Sequence, residues 1–181
     1  GKKYLTTTGS ANWSPAGGCL EWRRYCVFHF SKGIHSMNPV VDSTKLERAK
    51  VWGQSDSSVR WQGAFARYGG NGTTASSTIV YEIEPGGRLG WHTDATEETQ
   101  YIIAGTGKLH LEDGTTCAVG PGSVFVLPTP LRHDLENTGK DTLRAVAFFA
   151  AAMFTQTFDQ VMMPPKTHIL GTPNREGQTA H

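Results

Sequence analysis

The stretch from Gly86 to Gly105, GGRLGWHTDATEETQYIIAG, constrains this chain more than any other, and a second stretch from Gly122 to Asn137, GSVFVLPTPLRHDLEN, answers it. The first carries an imidazole at His92, carboxylates at Asp94, Glu97 and Glu98, and glycines at both ends; the second carries an imidazole at His133. Residues two apart on a strand point to the same face, so His92 and Asp94 project together. Glu98 follows a short polar turn and opens an apolar strand running to Ala104, which sets its carboxylate at the strand entrance beside the first pair. Two imidazoles with one or two carboxylates suit a divalent transition metal, Fe or Mn first and Zn, Ni, Co or Cu as alternatives. Such a set leaves coordination positions open, as a catalytic metal requires. A lone histidine is more often structural, and His35, His110, His168 and His181, which lack partners at this spacing, are read that way.

The spacing is Gly86, five residues, His92, one residue, Asp94, three residues, Glu98, six residues, Gly105, then Gly122, five residues, Pro128, four residues, His133, three residues, Asn137. This pattern resembles the two motifs of the cupin superfamily, in the short-spacer form of small single-domain members, over roughly Ser76 to Ala150. The resemblance implies an all-β fold, a double-stranded β-helix forming a single jelly-roll barrel, with His92, Glu98 and His133 as metal ligands. Asp94 stands where the family usually has a second histidine, and Pro130 where it usually has a glycine.

Asp94 therefore has three readings: a fourth ligand, a proton acceptor at a polarised substrate, or a structural hydrogen-bonding partner. With Glu98 it forms the pair of catalytic candidates. His92, Asp94 and His133 followed by Arg144 are also similar to the iron triad and co-substrate arginine of the 2-oxoglutarate-dependent oxygenases, a weaker pattern than the one that includes Glu98. By strand parity Gln100 and Ile102 share a face with Glu98, and Leu131 and Leu135 with His133. Gln100, Ile102, Leu131 and Arg144 are accordingly the expected substrate pocket, with Tyr81, Trp91, Phe125 and Phe148 as possible aromatic walls. Glu97 is read as a solvated turn residue.

The rest of the sequence sets bounds. With 181 residues one domain with a real core is expected. A net charge of +1 without a basic run suggests neither nucleic acid nor an anionic membrane as partner, and no apolar run approaches a membrane span. No signal-peptide pattern is evident at the start. Three cysteines without metal spacing fit a reduced, cytoplasmic setting. Residues 1–36 read as an atypical N-terminal arm or a non-native leader ahead of Met37, residues 37–160 as the barrel, and residues 161–181, broken by Pro164 and Pro165, as a C-terminal tail. Within 37–53 the only helix-like turn is Ser43 to Lys50. Strands are expected at 59–68, 77–84, 98–104, 108–112, 123–128 and 143–152, separated by turns at Gly105-Thr-Gly107, Asp113-Gly114 and Pro121-Gly122.

The resemblance implies a metal-dependent enzyme on a small organic molecule. The first expectation is a dioxygenase-type oxidoreductase, the second a redox-neutral isomerase or lyase using the metal as Lewis acid, and the third a sugar- or metabolite-binding protein without turnover. A small-molecule substrate and a homodimer are the expected partners.

Overall fold

The computed structural model describes residues 38–173. The expectation for residues 1–36 and the last residues of the expected tail lie outside them.

Among the described residues, twelve strands follow one another in chain order. They are β1 (Ala49–Gly53), β2 (Arg60–Arg67), β3 (Ser77–Ile83), β4 (His92–Asp94), β5 (Glu98–Ala104), β6 (Gly107–Leu111), β7 (Thr116–Val119), β8 (Val124–Leu127), β9 (His133–Asn137), β10 (Leu143–Phe149), β11 (Thr155–Met163) and β12 (Thr167–Gly171). Every pairing between them is antiparallel. The order across the sheet is β7-β6-β9-β4-β11-β1-β2-β3-β10-β5-β8, with β12 alongside β11.

Period-two patterning explains why these segments become strands with one face inward. Along β3 the sequence STIVYEI buries Ser77, Ile79, Tyr81 and Ile83, and along β10 LRAVAFF buries Leu143, Ala145, Ala147 and Phe149. One buried cluster gathers Ile83, Ile102 and Leu143 from one end of the strand order and Leu109, Leu135 and Val119 from the other. Strands distant in the ladder therefore share one core, so the sheet curls on itself into the expected all-β jelly-roll barrel.

Glycine is required where the chain turns most tightly. At Gly105, between β5 and β6, φ is +80° and an added Cβ would stand 2.6 Å from Leu143 Cα and 2.8 Å from Thr142 O. Neither the backbone angle nor the space admits a side chain.

Two expectations change. The helix-like turn does not reach Lys50: a single 3₁₀ turn over Ser43–Lys45, started by Asp42 accepting from the Thr44 amide, gives way to β1 at Ala49. Within β1, Val51 is buried against Val59, Phe158 and Met162. Nor does the sheet stop at residue 160. β11 continues through Met163, pairs with β4, β1 and β12, and buries Gln156, Phe158 and Met162. Pro164 and Pro165 occupy the β11–β12 turn, so these prolines punctuate a hairpin rather than open a tail.

Candidate metal centre

The barrel's strand register assembles the site. His92 on β4 stands directly opposite His133 on β9, with ring centroids 4.3 Å apart. On its other side β4 pairs with β11, which sets Phe158 opposite His92 and Gln156 opposite Asp94. Phe158 stacks on the His92 ring at 4.7 Å and 20°. Glu98 arrives from β5, paired with Phe149 on β10 and Leu127 on β8. Because β4 is three residues long and turns into β5 within three more, His92, Asp94 and Glu98 can converge although they lie on two strands that do not pair.

The four side chains are buried, and one ligand atom from each lies within 4.8 Å of all the others. His92 donates from Nδ1 to the carbonyl of Gly90 at 2.7 Å, and His133 from Nδ1 to the carbonyl of Leu131 at 2.9 Å. A carbonyl only accepts, so the proton in each neutral ring sits on Nδ1 and the lone pair of Nε2 faces inward. His92 Nε2, His133 Nε2, Asp94 Oδ2 and Glu98 Oε2 are buried without any hydrogen-bond partner. His133 Nε2 stands 3.6 Å from Asp94 Oδ2 and 3.5 Å from Glu98 Oε2, too far for good hydrogen bonds and well suited to a shared cation. Four orphaned donors aimed at one point are the arrangement that a divalent metal satisfies, since buried polar groups otherwise find partners.

The supporting contacts fix this geometry. Gln156 Nε2 donates to Asp94 Oδ1 at 2.9 Å, leaving Oδ2 for the centre, and Thr129 Oγ1 donates to the Asp94 carbonyl at 2.5 Å. Asp134, on the opposite face of β9 from His133, accepts from Arg88 and, at 2.9 Å, from the amide of Gly90. Gly90 has φ +95° and is also the residue whose carbonyl orients His92. Asp134 thereby ties the β9 histidine to the loop that holds the β4 histidine.

Electrostatics agree with a site built for a cation. Burial, with help from the neighbouring His133, pushes His92 down to about 3, so its ring is neutral and ready to ligate. Burial and the Glu98 carboxylate raise Asp94 to about 7. Burial pulls His133 down, but the adjacent Glu98 and Asp94 more than offset this and raise it. Without a cation the cluster therefore holds protons at neutral pH.

A chamber of about 20 Å³ adjoins His92 and Glu98, walled by Ile79, Tyr81, Leu89, Phe149 and Phe158 among others. That is room for about one water-sized group. Burial and the Glu98 charge raise the Tyr81 phenol well above its ordinary value, keeping it a neutral donor, and its hydroxyl donates to Gln100 Oε1.

Of the expected pocket residues, Gln100 is fully buried with Nε2 unpaired, and Ile102 is fully buried in the main core. Leu131 packs at the margin of that core and serves the site through its carbonyl. Arg144 is a correction: it lies exposed on the outer face of β10, the face opposite Leu143 and Ala145, so it does not line the chamber and cannot act as a co-substrate arginine there. Phe148, on the same face, is likewise exposed. Gln156, Phe158 and Trp61 escaped the sequence reading. The alternation Gln156, Phe158, Gln160, Met162 was the available signal, and it carries no family spacing.

Residues 79–149 match a family model described as the cupin domain. A search of curated proteins finds no match to this chain. Among solved structures, the chain is similar to a variant of the oxalate decarboxylase of Bacillus subtilis, with a TM-score of 0.57 and 19% identity over 74% of this chain and 35% of that one. It is similar to the polyketide cyclase RemF from Streptomyces resistomycificus, with a TM-score of 0.54 and 21% identity over 62% and 79% of the two chains. A protein from Acidithiobacillus ferrooxidans proposed to be a sugar phosphate isomerase gives a TM-score of 0.52 and 20% identity over 74% and 83%. At these identities the likeness is one of fold. The match spans about a third of the length of the oxalate decarboxylase chains.

Proposed function

We infer that this chain, which carries a small cupin domain over residues 79–149, is a metal-dependent enzyme acting on a small organic molecule, of the dioxygenase type. The observation that carries the reading is the set of four buried, unpartnered donor atoms on His92, Asp94, Glu98 and His133. A bound Fe or Mn would supply Lewis acidity and redox chemistry there, and the carboxylate-rich set favours these harder ions over Cu. The protein's own contribution is positional. Gly90 and Leu131 orient the imidazoles, Gln156 orients Asp94, and the apolar walls Ile79, Leu89, Phe149 and Phe158 keep bulk water from a chamber that admits only a small group. A chamber this small and this apolar suits one small group, the oxygen-bearing tip of an organic substrate or a single small reactant.

A redox-neutral isomerase or lyase is the second reading, favoured by Asp94, whose position near 7 is that of a proton acceptor at work near neutral pH. The solved neighbours described as a decarboxylase, a cyclase and a proposed isomerase are compatible with it. Metal content of the purified chain together with oxygen uptake on addition of enols, diketones and catechols separates the two. Near-stoichiometric Fe or Mn with substrate-dependent uptake is expected. Stoichiometric metal with anaerobic turnover would install the second reading, and full metal occupancy in His133→Ala would overturn the ligand set itself.

The proposal extends to assembly and location. Tyr101, Ile103, Val124, Val126 and Phe148 are 43–63% exposed on the outer faces of β5, β8 and β10, and β8 is the last strand in the order. A second copy covering this face and edge makes the chain a homodimer, to be checked by sedimentation of the wild type against Val126→Lys. No helix among the described residues is long and apolar enough to cross a membrane, and a cytoplasmic enzyme fits the cysteine usage.

A further inference from the structure

A second space of about 480 Å³ lies between β1 and β2 on one side and the β11–β12 hairpin on the other, and it meets the metal chamber at Trp61, Ile79 and Gln156, which line both. We propose that this groove holds the carbon body of the substrate, and that the substrate is an uncharged molecule with a flat or aliphatic apolar body and a single oxygen-bearing end. The proposal rests on the metal-site reading above and names the substrate class for it.

Three observations carry it. The first is size. The chamber beside His92 has room for about one water-sized group, so only the tip of an organic molecule can enter it, whereas 480 Å³ falls within the range of small-molecule sites. The second is charge. Among the described residues the groove is walled by Val51, Phe65, Ile169, Leu170 and their neighbours without one charged side chain, and no Lys or Arg lines the chamber. With one end at the metal, a dicarboxylate or a sugar phosphate would still leave charge in the groove that no side chain there meets, a heavy desolvation cost. The third is the junction. Trp61 Nε1 is buried without a hydrogen-bond partner although its ring lines both spaces, and Gln156, whose amide holds Asp94 Oδ1, lines both as well. An indole N–H at a junction, lacking an acceptor, fits an oxygen on the substrate's polar end. Gly63 lines the groove beside Trp61, and an added Cβ there would lie 3.2 Å from the indole and 3.3 Å from Tyr81, so the absence of a side chain leaves the ring its position.

The test is calorimetric titration of the full chain with 2-naphthol, a neutral flat probe with one hydroxyl, against oxalate and glucose 6-phosphate. Metal-free wild type should bind 2-naphthol and neither anion. Ile169→Glu, at a position 53% exposed and therefore tolerant of the change, should weaken binding about tenfold or more by placing a carboxylate in the groove. Trp61→Phe, which keeps an aromatic ring and removes the donor, should weaken it about fivefold. Melting curves show that each variant is folded. Absence of 2-naphthol binding to the wild type, unchanged affinity in folded Ile169→Glu, or displacement of 2-naphthol by either anion would overturn the proposal. His133→Ala separates this result from the metal reading: it should lose metal and still bind 2-naphthol. Wild type that binds 2-naphthol and no metal would sink the metal reading and leave the groove standing; wild type that takes up metal and ignores 2-naphthol would do the reverse.

Discussion

Asp94 is the residue on which the proposed chemistry turns. Its carboxyl is raised to about 7 in the folded chain against an ordinary 3.8, first by burial and then by Glu98. The raised value means that the folded metal-free chain prefers the protonated form: its contribution to stability is fully present below about 4 and is lost as pH rises through about 7. A metal requires the deprotonated form, so cation and proton compete. Metal affinity should rise with pH up to about 7, by about tenfold per pH unit for each proton displaced. His133, also raised, adds a proton to be displaced, while His92, held down to about 3, adds none. Asp94→Asn should release one proton fewer per metal bound, measured as the buffer dependence of the binding enthalpy at pH 6. An unchanged proton count would mean that Asp94 is not a ligand, leaving the role of proton acceptor or of partner to Gln156. The motif spacing made His92, Glu98 and His133 legible in the sequence. It could not rank the roles of Asp94, because these differ by which carboxylate oxygen faces inward, and Gln156, a residue 62 positions away, fixes that.

At the scale of elements, the short strand β4 is held from both sides, by β9 through His133 and by β11 through Gln156 and Phe158. Its entry loop is pinned by Asp134, whose carboxylate is fully buried and serves both Arg88 and the Gly90 amide. Asp134→Ala should cost about 2–3 kcal/mol in urea unfolding, because a guanidinium and a buried amide lose their partner while Arg88 can turn partly to water. It should also lower metal affinity, since Gly90 orients His92. Loss of stability with full metal affinity would show that the loop holds its shape without the carboxylate. β2, β3, β5, β6 and β8 could be read from alternation and turn residues within a residue or two, and β10 with its end three residues too far; β4 and β9 are too short to stand out from the motifs that contain them, and β7, whose Thr116, Cys117 and Ala118 are exposed, gives no apolar alternation. β1, β11 and β12 lie outside the family spacing: β11 pairs with β1 across more than 100 residues and with β4 across more than 60, and reaches β12 through a proline turn, so assembly is what shows this side of the sheet.

For the whole molecule, a cation that binds the folded chain alone stabilises it by mass action, about 4 kcal/mol at a thousandfold excess over the dissociation constant. Chelation should therefore lower Tm by several degrees, and re-addition of Fe or Mn should restore it; no response in either direction would count against a resident metal. The barrel also explains why the expected pocket residues parted company. Gln100 and Ile102 share a face with Glu98, yet Ile102 is packed into the main core, and Arg144 lies outside because β10 turns its even-numbered residues outward. Period-two patterning determines by itself the all-β class, because alternation is local, and the resemblance carried by the two glycine-bounded motifs implies the jelly-roll barrel and three of the residues in the buried cluster. Which residues surround that cluster, where the groove opens and what charge it excludes were decided only by closure of the sheet, because strand neighbours such as β4 and β11 are distant in the chain and no local pattern encodes their register.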